Sequence, residues 1–205
     1  MFAFLRKPAS RHQLACLESV RLALRPPAID DWPQWARLRN ESRDFLQPWE
    51  PTWPRNALTR GSFTRRIKLQ ARDREAGTAL SWFLIRRDDE ALMGGVTVSD
   101  IRRGVASSGT LGYWIGRSYS RQGYMSEAVE AVIDHVFDEF GLHRLEAACL
   151  PANEASRRLL VSRGFSLEGI ARSYLKIDGD WRDHLLFSLI ESEWRPSRRS
   201  HGPEP

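Results

Sequence analysis

The sequence predicts an α+β (mixed α/β) fold with one central sheet, and three observations carry that prediction. Residues 111–140 read LGYWIGRSYSRQGYMSEAVEAVIDHVFDEF, an apolar strand followed by a polar turn and a long amphipathic helix. Short alternating or apolar runs recur before and after it. Helical periodicity appears in separate blocks between those runs, so strands and helices share one domain.

The central helix opens at Gly123 and runs to Phe140. Ala128, Val129, Val132, Ile133, Val136, Phe137 and Phe140 fall at spacings of three and four and paint one face. Glu127, Glu130, Asp134 and Asp138 fall on the others. A strand that feeds a glycine turn and a helix start is an anion-binding device. The first helical amides have no partner within the helix, and the helix dipole adds positive potential. Gly123 lets the backbone approach a ligand closely, and Arg121 stands beside it. Such units also serve as plain connections, so this stretch alone leaves both readings open.

The rest follows in order. Residues 20–25 alternate as a first strand, stopped by Pro26 and Pro27. Asp30 or Asp31 caps a helix to about Leu46, with Pro33 in its first turn and Trp32, Trp35, Ala36 and Leu38 facing inward. Residues 47–54 hold three prolines and two tryptophans in eight positions, an ordered aromatic loop rather than a regular element. A basic helix covers 57–75. Strands follow at 79–87, at 91–101 and at 109–116. After the central helix come a strand at 143–150, a helix at 154–163, a strand at 164–172, an Asp178-Gly179-Asp180 turn and a last strand at 181–190.

The chain has 205 residues, 41% hydrophobic and 28% charged, which suits one globular domain. We read 1–17 as a flexible basic extension, 18–194 as the domain and 195–205 as a disordered basic tail. The net charge of +5 is concentrated at the ends, with Arg6, Lys7, Arg11, Arg21 and Arg25 at one and Arg195, Arg198 and Arg199 at the other. This favours polyanionic surroundings such as RNA, or simply solubility. Cys16 and Cys149 lie far apart without metal-ligand spacing, which argues for a reducing compartment and no metal site. The apolar start MFAFL is too short for a signal core or a membrane span. The expectation is a cytoplasmic protein without membrane contact.

The motifs Gly112-Tyr113-Trp114-Ile115, Gly123-Tyr124-Met125-Ser126-Glu127-Ala128, residues 141–147 (GLHRLEA), Pro151-Ala152-Asn153-Glu154-Ala155-Ser156, Gly164-Phe165 and Glu168-Gly169 occur here in one order. That set resembles the GNAT N-acyltransferase superfamily, over about Val20 to Trp194. Asp31-Trp32, residues 45–51 (FLQPWEP) and residues 179–183 (GDWRD) are similar to its RimJ/RimL-type branch, which acetylates the N-terminal alanine of ribosomal proteins.

The resemblance implies a mostly antiparallel twisted sheet of about seven strands, splayed between 109–116 and 143–150 and flanked by about four helices. It implies acetyl-CoA as co-substrate, with Trp114, Ile115, Ser120, Arg121, Gln122, Gly123, Tyr124, Met125, Ser126, Asn153 and Ser156 as its contacts. Ser120 departs from a long polar residue and Met125 from a small one in the phosphate loop. Main-chain amides do most of the cradling there. Asn153 also reads as a helix N-cap. Leu160 stands where many relatives carry a tyrosine, which points to Ser156 as the acid for the leaving thiolate, with Tyr174 as another candidate.

The reaction is attack of a neutral amine on a thioester. An α-amine with a pKa of about 7.7–8.0 is roughly one-tenth neutral at pH 7, whereas lysine, at about 10.4, is well under a thousandth neutral. An N-terminal acceptor therefore needs little base catalysis, and Glu146 is the candidate base, with an ion pair to Arg144 or Arg102 as its alternative role. Trp49, Glu50 and Asp183 are candidate acceptor-binding residues, with Asp178 and Asp180 nearby; the carboxylates suit an incoming ammonium. His135 and His143 are weaker candidates, and Cys149 reads as a small buried hydrophobe.

The favoured function is acetylation of a ribosomal-protein N-terminal alanine. The alternatives are acetylation of a small amine such as a polyamine, an antibiotic or an amino acid derivative, or a non-catalytic module that binds CoA or docks on ribosomal RNA through Arg21, Arg25 and the helix at 57–75. Monomer and dimer stay open.

Overall fold

The computed structural model describes residues 16–194. The predicted tail at 195–205 and all but the end of the predicted extension lie outside them. An eight-stranded sheet forms the centre, in the order β1-β2-β3-β4-β5-β6-β8-β7. The strands are β1 (Leu17–Glu18), β2 (Leu22–Arg25), β3 (Leu80–Arg86), β4 (Leu92–Arg102), β5 (Ser108–Ile115), β6 (Arg144–Cys149), β7 (Ser166–Ile177) and β8 (Asp180–Ile190). Every neighbouring pair is antiparallel except β5 and β6.

The eighth strand is β1, a two-residue piece in which Leu17 pairs with Leu24 and Glu18 with Ala23. It is too short to leave a periodic signal in the sequence. β7 runs past Arg172 to Ile177, because a bulge between Ala171 and Leu175 absorbs the irregular stretch. Asp178 and Gly179 then form a two-residue turn with φ of 45° and 91°, the left-handed geometry that Asp-Gly supplies in tight hairpins.

The helices are α1 (Trp32–Glu41), α2 (Arg43–Leu46), α3 (Arg60–Ala76), α4 (Tyr124–Asp134) and α5 (Glu154–Ser162). The single helix expected over 31–46 is thus broken at Ser42. Its expected cap also differs. The Asp31 carboxylate makes no cap to its own helix but accepts from both ends of the Arg25 guanidinium and from Ala28 N–H. α4 widens at its end, where Phe140 N–H reaches back five residues to His135 O.

The two faces of the sheet carry separate cores. α4 and α5 cover one face, where Val129, Val132, Ile133 and Leu160 meet Leu84, Val96, Leu111, Leu145 and Phe187. α1 and α3 cover the other, where Trp35, Leu38, Phe63 and Ile67 meet Phe83, Ile85 and Leu92. Alternation along β3 serves both: Trp82 and Leu84 point to the first, Phe83 and Ile85 to the second. Among the described residues, no helix is long and apolar enough to cross a membrane.

Candidate active site

β5 and β6 pair over three positions only, Ser108 with Arg144, Gly109 with Leu145 and Thr110 with Glu146. Beyond Thr110 each strand follows its other neighbour. β5 stays on β4 through Trp114 and Ile115, and β6 stays on β8 through Ala147, Ala148 and Cys149. The strands therefore part into a wedge, as expected for 109–116 and 143–150. The main-chain groups along its inner edges suit an extended ligand that can pair like a strand.

One side-chain contact spans the wedge. Tyr113 Oη and Ser156 Oγ are 2.7 Å apart, joining β5 to the first turn of α5. Burial pushes the Tyr113 phenol well above its ordinary pKa despite the Ser156 hydrogen bond, so it stays protonated at neutral pH. Cys149 lies beside the same hydroxyl, and burial raises its thiol also, against the opposing hydrogen bond from Ser156. It is a free, buried cysteine, as its sequence setting suggested. Asn153 caps α5 by accepting from Ser156 N–H at 3.1 Å, which leaves its Nδ2 group as a donor. Tyr113 is the residue that sequence reasoning missed. The available signal was strand alternation, which sets Tyr113 with Leu111 and Ile115 on the face that α5 covers.

The predicted phosphate loop leads into α4. Arg121 has φ of 58° and Gly123 of 82°. Glu127 N–H bonds Gly123 O at 3.1 Å, so the amides of the turn before it point out of the helix end. Ser120 Oγ donates to Arg117 O and Gln122 Nε2 to Ser118 O, so both side chains brace the loop. Met125 is buried in the core, away from the loop surface, and its size therefore does not block the helix end. Arg21 fastens this end to β2. Its N–H and Nε bind the two Glu127 oxygens at 2.7 and 2.8 Å, Nη1 reaches Gln122 O at 3.1 Å, and the guanidinium lies 4.2 Å from the Tyr124 ring centre. The residues fit a pyrophosphate: outward amides, a glycine without Cβ and two arginines at its rim.

The acceptor-side candidates are placed on and around the other face. Trp114 lies over Gly95, where a Cβ would sit 2.8 Å from its Nε1. Glu50 is committed inside the protein. Its oxygens accept from Arg39 Nη1 and Nη2 at 2.8 and 2.5 Å, and from Trp53 Nε1 at 2.8 Å. Trp49 is 37% exposed. The β7–β8 turn docks on this loop, with Asp178 N–H on Glu50 O at 3.0 Å and Gln47 Nε2 on Asp178 Oδ1 at 3.0 Å. Asp183 accepts from Ser173 N–H at 2.8 Å and so holds the β7 bulge. Tyr174 stacks edge-on against His184, and the structure gives its hydroxyl no link to Ser156.

Glu146 alternates with the core residues Leu145 and Ala147, on the face away from the Ser156–Tyr113 pair. One oxygen binds Arg102 at 3.1 Å and the other Arg144 at 3.0 Å, so both predicted ion pairs form together. Arg144 continues to Glu168 at 2.5 Å, and Ser188 donates to Glu168 at 2.7 Å. His135 Nδ1 lies 3.2 Å from a Glu139 oxygen, while His143 is exposed. Among the described residues, no group of three or more potential ligands could hold a metal.

Comparison with known proteins agrees with this geometry. Residues 21–166 match the model of the acetyltransferase (GNAT) domain. The chain is 35% identical over 184 residues, 89% of its length and 94% of the relative's, to an Escherichia coli (strain K12) protein named [ribosomal protein uS5]-alanine N-acetyltransferase. A ribosomal-protein-S5-alanine acetyltransferase structure from Vibrio fischeri superposes with a TM-score of 0.82 at 30% identity, covering 88% of this chain and 98% of that one. Mycobacterium smegmatis RimJ in complex with CoA-disulfide gives 0.83 at 29% identity, covering 88% and 90%. With the wedge, the helix end and most of the chain in common, this protein belongs to the GNAT acetyltransferase family.

Proposed function

We propose that this protein transfers the acetyl group of acetyl-CoA to the α-amine of a ribosomal-protein N-terminus, with alanine as the favoured first residue. The observation that carries the reading is the β5–β6 wedge bridged by Tyr113 and Ser156. The 35% identity to the uS5-alanine enzyme supports the choice of acceptor.

In this reading Ser120, Arg121, Gln122, Gly123, Tyr124, Met125 and Ser126 form the pyrophosphate cradle, mainly through their amides. Asn153 Nδ2 and the edges of Trp114 and Ile115 hold the pantetheine arm. The amine nitrogen attacks the thioester carbonyl carbon, the C–S bond breaks, and the departing sulfur takes a proton from Ser156 Oγ. Tyr113 returns one to Ser156 across their 2.7 Å contact. Tyr113 then recovers a proton from the water that takes the amine's, a return that burial favours because it disfavours the charged phenolate. The nitrogen loses its proton to water. Both Glu146 oxygens are taken up by guanidiniums, and an α-amine needs no stronger base.

A contact with ribosomal RNA belongs to the same reading. Arg60, Arg65, Lys68 and Arg72 are exposed on α3, and none forms an ion pair among the described residues. Arg21 and Arg25, by contrast, are held by Glu127 and Asp31. Docking through α3 predicts affinity for RNA that falls steeply with salt.

The test is mass spectrometry of peptides incubated with the protein and acetyl-CoA. The panel begins with Ala, Ser or Met and includes one with a blocked N-terminus and a free lysine. Acetylation of the Ala peptide and not the blocked one is the expected result. Transfer only to lysine or to small amines would overturn the choice of acceptor.

A further inference from the structure

The acceptor half of the site holds a buried cation that the chemistry above does not use. Arg39, on α1, is only 8% exposed. Its two terminal nitrogens fork onto the Glu50 carboxylate. Its guanidinium carbon lies 4.2 Å from the Trp53 ring centre and 4.8 Å from that of Trp114. Trp53 donates its indole N–H to the same carboxylate. Two indole faces and a carboxylate are the parts of a cage for an organic cation, and here the protein fills the cage with its own side chain. The filling is not simply a neutral packing choice. A buried guanidinium is unfavourable unless its donors are matched, and Arg39 Nε has no partner.

The cage joins three segments on the acceptor side. Arg39 brings α1, Glu50 and Trp53 bring the 47–53 loop, and Trp114 brings β5. Glu50 carries the connection onward, since its carbonyl accepts from Asp178 N–H at the β7–β8 turn. We propose that Arg39 is the positioning residue of the acceptor half. It pins the 47–53 loop, and through it the β7–β8 hairpin, against β5, so that an incoming amine is guided to the wedge. The cage is closed to the acceptor's own ammonium because Arg39 occupies it. This rests on the acetyl-transfer reading for its kinetic test but not for its structural one.

Steady-state kinetics of Arg39→Ala and Arg39→Lys, with peptide and acetyl-CoA each varied, tests the proposal. In Arg39→Ala the peptide KM is expected to rise about tenfold or more while the acetyl-CoA KM stays within about twofold. Arg39→Lys is expected to behave similarly, because an ammonium has neither the fork nor the flat face. Methylguanidinium at millimolar levels should lower the peptide KM of Arg39→Ala by refilling the cage, and should leave Glu50→Gln unrescued. Hydrogen exchange supplies a reading without activity: amides of 47–53 and 178–182 should exchange faster in both Arg39 variants, and those of 120–127 should not. An Arg39→Lys protein equal to the parent, or both KM values rising together, or exchange rising across the whole sheet, would overturn the proposal. Should Arg39→Ala fail to fold, Arg39→Lys decides alone. If the parent protein acetylates no amine, the transfer reading fails, and the exchange pattern still decides the role of Arg39.

Discussion

At Gly123 the groups that face outward are main-chain amides, and around Trp114 side chains are locked to one another. The donor half depends on two left-handed residues, Arg121 and Gly123, and on Arg21, just before β2, which clamps the helix end. Its side chains face away or brace the loop, as Met125 and Ser120 do. The acceptor half depends on Arg39, Glu50, Trp53 and Trp114 in mutual contact. A site made of backbone tolerates altered side chains as long as φ and ψ survive. A site made of interlocked side chains does not. The departures at Ser120 and Met125 fall in the half that can absorb them.

The largest effect that would break this contrast is at Gly123. A Cβ there meets Arg21 Nη2 at 3.3 Å, and φ of 82° is strained for any branched side chain. Gly123→Val should raise the acetyl-CoA Kd by about a hundredfold, a loss of roughly 2.7 kcal/mol, with little change in peptide KM. Calorimetry of acetyl-CoA binding reads it, and an unchanged Kd would mean the amides are not the cradle.

Next in size is the chemistry at the wedge. Ser156→Ala should lower kcat by about ten- to a hundredfold with acetyl-CoA affinity retained, consistent with removing one proton donor. Tyr113→Phe should cost less alone and almost nothing on top of Ser156→Ala, since the tyrosine acts through the serine. Strictly additive losses in the double variant would separate the two residues.

A smaller effect concerns the clamp on the donor half. The Glu127 carboxyl is partly desolvated, which by itself would raise its pKa. Hydrogen bonds from Ser19 and Arg21 and the Arg21 charge outweigh that and hold it below the ordinary carboxylate value. A depressed folded pKa means stability that is present above the unfolded pKa and lost as pH falls through the folded one. Glu127→Gln should therefore destabilise by about 1 kcal/mol at pH 7, and the difference from the parent should shrink on acidification below about pH 4. Thermal melts across pH 3–7 check the sign. A gap that widens in acid would contradict it.

The smallest expected effect sharpens the contrast from the other side. Ser120→Gln restores a long polar residue to the phosphate loop and should alter the acetyl-CoA KM by less than about threefold, because the amides already carry the binding. A tenfold gain would show that side chains matter more in the donor half than its geometry implies.

The order of strands and helices and the glycine-led helix were legible because each rests on local pattern, and the parting of the two wedge strands was an expectation from the family resemblance. Strand alternation, a period near 3.6 and turn residues act within a few positions of themselves. Gly123 and the Asn153 cap were legible for the same reason, whereas Ser156 was singled out only by the family resemblance. What the tertiary structure alone decided is which partner each charged or polar side chain takes. Glu50 and Arg39 are eleven residues apart, yet the fork depends on Trp53 and on Trp114 from β5. Glu146 had two possible partners, and the sheet supplied both at once. Tyr113 meets Ser156 across 43 positions. Such pairs form where the sheet brings distant segments within about 3 Å, and their energy comes from burial that no local stretch of sequence contains.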